Sequence, residues 1–152
     1  MFDMPQDVKE VEVPEKLMLY CVNSASKHFK ISPMIVYTIA DIEGGKIGTA
    51  SKNKNGTYDL GVMQLNTINI DRIKEKFPNV TYMDLIYKPC VNIYVGTWFL
   101  TEEIKRVNYN VLKGIGNYHS RTKKFHDKYM KRFTERYKKN LKKFVIKKKL
   151  DK

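Results

Sequence analysis

The segment from Ser32 to Gly45 constrains the fold more than any other stretch of the chain. Ser32-Pro33 reads as a helix start, with a small polar cap and a proline in the first turn, where its missing N–H costs nothing. Ile35, Val36, Ile39, Ala40 and Ile42 recur at helical spacing and form a buried face. Gly44-Gly45 ends the helix by supplying the left-handed positions that a helix terminus often requires. Such a segment belongs in a core, and its last residue is Glu43. A carboxylate there faces the negative end of the helix dipole and lies close to buried surface; both effects raise its pKa. A general acid working near neutral pH needs such a group. A surface glutamate at a helix end has the same local sequence, so Glu43 alone decides nothing.

Around this helix the rest of the chain is α-rich. Leu17, Tyr20, Cys21, Ser24, Ala25 and His28 give a helical pattern over residues 15–29, after a loose acidic lead-in over 1–13. Asn55-Gly56 signals a tight turn, so 49–53 and 57–60 are expected to pair as a short, irregular hairpin. Helical spacing resumes over 68–77, again from about Met83, then over 90–107 and 110–119. A final pattern begins at Lys123, with Phe125, Tyr129, Met130, Phe133, Tyr137, Leu141 and Phe144 as a stripe that packs on the body; residues from Lys147 onward are expected to fray. The fold class is α+β, mostly α, with one small β-hairpin region. The expected division is a flexible lead-in (1–13), a main domain (14–133) and a basic helical extension (134–152).

The charge of +13 is concentrated at one end. Residues 122–152 hold fourteen Lys/Arg against three acids, whereas the preceding 121 residues are only +2. This suits either a solvated helix or attraction to an anionic polymer, membrane surface or acidic protein. No nucleic-acid reading motif accompanies it, so no nucleic-acid partner is expected. No stretch approaches the ~20 apolar residues of a membrane helix. The first residues carry five acids and no apolar core, so no signal peptide is legible there. Cys21 and Cys90 are the only cysteines. Two free thiols are ordinary in a cytosolic protein, and this spacing offers too few ligands for a metal site. His28, His119 and His126 form no ligand pattern either; neither metal nor cofactor is expected.

Four blocks add a resemblance. They are Ile39-Ala40-Asp41-Ile42-Glu43-Gly44-Gly45, the run from Asn53 to Thr67 containing Gly61-Val62-Met63-Gln64, the run from Lys88 to Trp98 around Pro89-Cys90, and Gly116-Asn117-Tyr118-His119-Ser120. In this order, across roughly residues 17–133, the chain resembles the transglycosylase SLT family, in its small branch associated with conjugation, secretion and pilus systems. The resemblance implies a lysozyme-like fold and a peptidoglycan lytic transglycosylase with Glu43 as its single acid/base. It implies that Gly61, Met63 and Gln64 line the sugar groove, that Asn66 lies near the substrate, and that Tyr118 hydrogen-bonds the catalytic carboxylate. His119 stands where many members have Asn, and Gly44 replaces the serine that commonly follows the glutamate.

The resemblance further implies a Cys21–Cys90 disulfide, closing a loop of roughly 70 residues and stabilising the fold by roughly 4 kcal/mol. A disulfide points to an oxidising compartment; the expected location is the periplasm, with the signal peptide absent from this sequence. Expected partners are peptidoglycan glycan strands and components of a secretion or conjugation machine. Two other functions stay open. Asp59 lies where some lysozymes place a second carboxylate, so hydrolysis by a muramidase is one, with the alternative that Asp59 caps a turn or holds the hairpin through backbone hydrogen bonds. The other is a weakly active peptidoglycan-binding assembly factor docking through its basic tail.

Overall fold

A computed structural model describes residues 9–150. Among these residues, seven α-helices and three short strands follow in chain order: α1 (Glu15–Phe29), α2 (Pro33–Glu43), β1 (Ala50–Lys52), β2 (Tyr58–Leu60), β3 (Leu65–Asn66), α3 (Ile70–Lys76), α4 (Tyr82–Tyr87), α5 (Pro89–Arg106), α6 (Val111–His119) and α7 (Lys123–Leu150). A 3-10 turn (Thr67–Asn69) leads into α3. The strands form one antiparallel sheet in the order β1-β2-β3. The class is therefore α+β and mostly α, consistent with the lysozyme-like fold.

Helix α5 organises the molecule. Ile93, Leu100 and Ile104 pack with α1, α2, α6 and α7 around Val22, Val36, Ile39, Ile115 and Phe133. Its other side, through Val95, Trp98 and Phe99, packs on Leu60, Leu65, Ile73, Leu85 and Ile86 from the sheet, α3 and α4. A helix buried on nearly every side is apolar all round, which is why its pattern reads so plainly in the sequence. One polar residue on it does equal work. Asn92 is fully buried; its side-chain amide donates to the carbonyls of Leu60 and Leu85 (2.8 and 2.9 Å) and its oxygen accepts from the Met63 N–H (2.8 Å). It thereby ties the sheet, α4 and the turn after β2 to α5.

Several expectations are corrected in detail. On α1 the buried residues are Cys21, Val22, Ala25 and Ser26, while Tyr20 is 69% exposed. The inward face is thus turned from the expected one by about one position, because Met18, Val22 and Phe29 outweigh Leu17 and Tyr20. Ser32 makes no side-chain cap; its backbone carbonyl alone receives the Ile35 and Val36 N–H groups. The hairpin continues into a third strand, β3, too short to show any alternation in sequence. Residues 1–8 of the expected lead-in lie outside the described residues, but Val11 pairs antiparallel with Ile47. At the other end α7 continues through Leu150 where fraying was expected from Lys147; the segment has no Gly or Pro to stop it. This helix crosses positions 133 and 134 without a break. Its distal half packs on α2: Asn140 donates to Thr38 (3.1 Å), Arg136 pairs with Asp41 (3.0 Å), and Phe144 meets the Tyr37 ring edge-on. Phe125 and Leu141, expected in the packing stripe, are exposed.

Cys21 on α1 and Cys90 at the start of α5 form a disulfide with Cα atoms 4.7 Å apart. Among the described residues no helix is long and apolar enough to cross a membrane, and no cluster of His, Cys, Asp and Glu is placed to hold a metal ion.

Candidate active site

Glu43 ends α2 at the floor of a cleft of about 1290 Å³ between the helical body and the sheet. That is larger than most small-molecule pockets and suits a stretch of polymer. Gly44 takes the left-handed cap position at φ 68°. Gly45, expected to do the same, is a glycine for another reason. A Cβ on it would stand 1.8 Å from the Gly61 carbonyl oxygen, and its N–H donates to the Val62 carbonyl (3.2 Å). Only a bare backbone lets the end of α2 press against the turn after β2, and this contact holds the sheet beside Glu43.

The glutamate as a whole is half-buried, but its Oε2 is sealed from solvent and has no well-formed hydrogen bond. Oε1 is the oxygen left to the cleft. Burial pushes the carboxyl up to about 7; the Tyr129 hydroxyl lowers it, the Asp59 charge raises it and the Arg132 charge lowers it in turn. Tyr129 comes from α7 and is 2% exposed, and its hydroxyl also lacks a well-formed partner. The Tyr129 hydroxyl nonetheless lies close enough to the Glu43 carboxyl to favour its charged form. Burial, followed by the Glu43 charge, pushes the Tyr129 hydroxyl far above its ordinary range, so it stays protonated and has a proton to donate to the charged carboxylate. His119 stacks on the Tyr129 ring, 4.7 Å between centroids and 4° from parallel, and burial holds its imidazole below the usual histidine value.

In the turn after β2, Gly61 (φ 65°) and Gln64 (φ 53°) are both left-handed, and the Gln64 N–H closes the turn on the Gly61 carbonyl (3.1 Å). Gly61 has no room for a side chain, since a Cβ would lie 2.3 Å from both the Asn92 amide nitrogen and the Leu85 carbonyl oxygen. Asp59 also lines the cleft. Its carboxylate is held from both sides by side-chain amides, Asn53 (3.1 Å) and Asn66 (2.9 Å). Asp59 does hold the sheet, though through side chains rather than the expected backbone contacts.

The transglycosylase SLT domain matches residues 20–143. The chain belongs to the transglycosylase SLT family. It is accordingly a peptidoglycan lytic transglycosylase, as members of this family are. Among relatives, invasion protein IagB of Salmonella typhimurium (strain SL1344) is 30% identical over 124 residues, covering 78% of this chain and 76% of its own length. A peptidoglycan-binding-like protein of Escherichia coli O157:H7 is 33% identical over 92 residues, 57% of this chain and 55% of its own. Protein IpgF of Shigella flexneri is 29% identical over 85 residues, 54% and 53% of the two chains.

Within this transglycosylase domain the expected site residues divide. Glu43, Gln64, Asn66, Tyr118 and His119 line one cleft. Met63 does not reach it: the side chain is 0% exposed and packs against Gly96 of α5. Gly61 is likewise buried behind the cleft wall. Tyr118 lines the cleft by its ring, but its hydroxyl donates to the Met63 carbonyl (2.8 Å) rather than to Glu43. With its one proton committed there, it cannot donate to the carboxylate, and the hydroxyl that faces Glu43 is that of Tyr129. Asn66 spends its amide on Asp59 and Thr57 and its oxygen on the Ile68 N–H, so it props the sheet from within the cleft. Sequence reasoning missed Tyr129, because a tyrosine in a packing stripe on a basic helix looks like any other core aromatic. Arg72, Phe99, Glu103, Arg106 and Arg121, which also line the cleft, carried no pattern that set them apart.

Proposed function

We propose that Glu43 alone performs both proton transfers of a non-hydrolytic cleavage of the β-1,4 bond between N-acetylmuramic acid and N-acetylglucosamine. The observation that carries this is a half-buried carboxyl raised to about 7 in a polymer-sized cleft, while Asp59, the carboxylate whose charge raises it, is occupied by Asn53 and Asn66. Glu43 protonates the glycosidic oxygen as the bond to the muramic C1 breaks. The substrate's own N-acetyl oxygen stabilises the cation at C1. The Glu43 carboxylate then takes the proton of the muramic 6-hydroxyl, whose oxygen closes on C1 as a 1,6-anhydro ring. No water enters, and Glu43 ends protonated for the next turnover. The Tyr129 hydroxyl, backed by the His119 ring, donates toward Glu43 while it is charged. Gln64 and His119 contact the sugars, and the Tyr118 ring forms part of the wall.

A second reading has one observation in its favour: Asp59 lines the same cleft and its charge reaches Glu43. A muramidase would use it to stabilise the cation or activate water. The Asn53 and Asn66 clamp weighs against this, because each carboxylate oxygen already accepts from a side-chain amide. In the cell, we assign the activity to the periplasm, opening the wall for a secretion or conjugation apparatus. The Cys21–Cys90 disulfide suits an oxidising compartment, and a relative that aligns with most of the chain is named an invasion protein. Wall-clearing by a Glu43→Gln variant tests the enzymatic reading. Loss of clearing is expected; a variant that still clears the wall would sink the assignment of Glu43 as the catalytic acid. Replacing exposed Lys138, Lys139 and Lys142 by Gln separately tests whether the basic helix serves docking, without removing the part of α7 that packs on α2.

A further inference from the structure

The proton transfers leave unused the arginines that line the same cleft, Arg72 on α3, Arg106 on α5 and Arg121 after α6. They gather along one stripe of α5, which itself contributes Arg106. Phe99, Glu103 and Arg106 are spaced i, i+4 and i+7, so they share a helix face, and all three line the cleft. The Arg72 guanidinium lies 5.1 Å from the centroid of the Phe99 ring. Arg121 grips Glu103 with two nitrogens, at 3.1 and 2.6 Å. Glu103 is 1% exposed, and a carboxylate so buried needs such a partner; its charge is consumed by Arg121. Among the described residues no carboxylate pairs with Arg72 or Arg106. The stripe therefore offers two uncompensated guanidinium groups to the cleft.

Its position relative to the chemistry follows from the aromatic rings. Phe99 meets Tyr118 edge-on, 5.8 Å between centroids, and the Glu43 charge is felt at the Tyr118 hydroxyl. The arginines thus begin one aromatic layer away from the acid. The sugars of a glycan strand offer hydroxyl and N-acetyl groups, which do not call for free cations. The anions of peptidoglycan are carboxylates, on the peptide stems or, where a stem is missing, on the muramic lactyl group. A guanidinium presents a planar fork of donors that matches a carboxylate.

We propose that Arg72 and Arg106 form a carboxylate-binding subsite that receives the acidic peptide stem of the strand being cleaved. This rests on the peptidoglycan reading of the cleft. It makes the enzyme selective for strands that still carry stems.

The test measures binding, not turnover, by titration calorimetry on the full chain carrying Glu43→Gln. Three tetrasaccharide ligands are used: stem-bearing, the same with its stem carboxyls amidated, and stem-free with a free lactyl carboxyl. Adding Arg72→Gln and Arg106→Gln together should weaken the stem-bearing ligand about tenfold or more, the size expected of two partly exposed charge-assisted contacts. The amidated and stem-free ligands should change less than about twofold, and Arg→Lys at both positions should restore part of the loss. Equal weakening of all three ligands, or none, overturns the proposal. Equal weakening of the stem-bearing and stem-free ligands alone assigns the subsite to the lactyl carboxylate and also overturns it. If the Glu43→Gln chain with both arginines intact binds none of the three, the peptidoglycan reading itself is wrong and the subsite falls with it.

Discussion

Replacing Glu43 by Gln should make the protein more stable, and by an amount that depends on pH. Folding raises this carboxyl from 4.5 to about 7, and each unit corresponds to 1.36 kcal/mol, so holding it ionised in the fold costs roughly 3 kcal/mol. The sign follows from proton binding. The native state holds the proton more tightly than the unfolded chain, so wild-type stability falls as pH rises from about 4.5 and levels off above about 7. The glutamine of the variant would be neutral throughout and nearly the same shape. The variant should therefore exceed wild type by under about 1 kcal/mol at pH 5 and by about 3 kcal/mol at pH 8, the latter roughly 10 °C in Tm for a chain of this size. Urea melts at both pH values, with the disulfide intact, measure it. A variant no more stable than wild type at pH 8 would refute the burial argument. A gain of equal size at both pH values would refute it too, because it would reflect packing rather than ionisation.

Other expectations follow from particular contacts. Tyr129→Phe removes the hydroxyl that favours the charged form of Glu43, so the high-pH limb of kcat/KM should move upward while kcat falls about tenfold; an unmoved limb would separate Tyr129 from the acid. Gly45→Ala forces a methyl against the Gly61 carbonyl and should lower stability by about 1–3 kcal/mol together with activity. Gly56→Ala, in open space at φ 85°, should cost about 1–2 kcal/mol of stability through backbone strain alone and leave activity intact; paired assays of melting and wall clearing check both. Replacing Cys21 and Cys90 by Ala should lower unfolding free energy by about 4 kcal/mol through loss of the loop constraint, and thiol titration of denatured wild type should find no free thiol.

Most of the fold was legible because its helices are punctuated. Ser32-Pro33, Gly44, Pro89 and Asn110 mark ends that the structure keeps within a residue or so. Elements without punctuation or length were not: β3 is two residues long, and the inward face of α1 depends on what α5 presents to it. The site was legible in Glu43 and in the blocks that surround it, but the contacts within those blocks were not. Tyr118 and Tyr129 are both tyrosines near the acid, and only geometry shows which hydroxyl is already committed, that of Tyr118 to the Met63 carbonyl. Met63 belongs to a block that reads as cleft-lining, yet the room left by Gly96 draws its side chain into the core. The pairing of Asp59 with Asn53 and Asn66 depends on strand register, which no local pattern specifies.

If Glu43 acts without a second working carboxylate, the muramic 6-hydroxyl and not water closes the reaction. Mass spectrometry of the soluble products from purified peptidoglycan measures this directly. Wild type should release 1,6-anhydro muropeptides, one water lighter than hydrolysis products, and an Asp59→Asn variant that folds should release the same. Reducing-end muramic products, lost when Asp59 is replaced, would contradict it and make the protein a hydrolase.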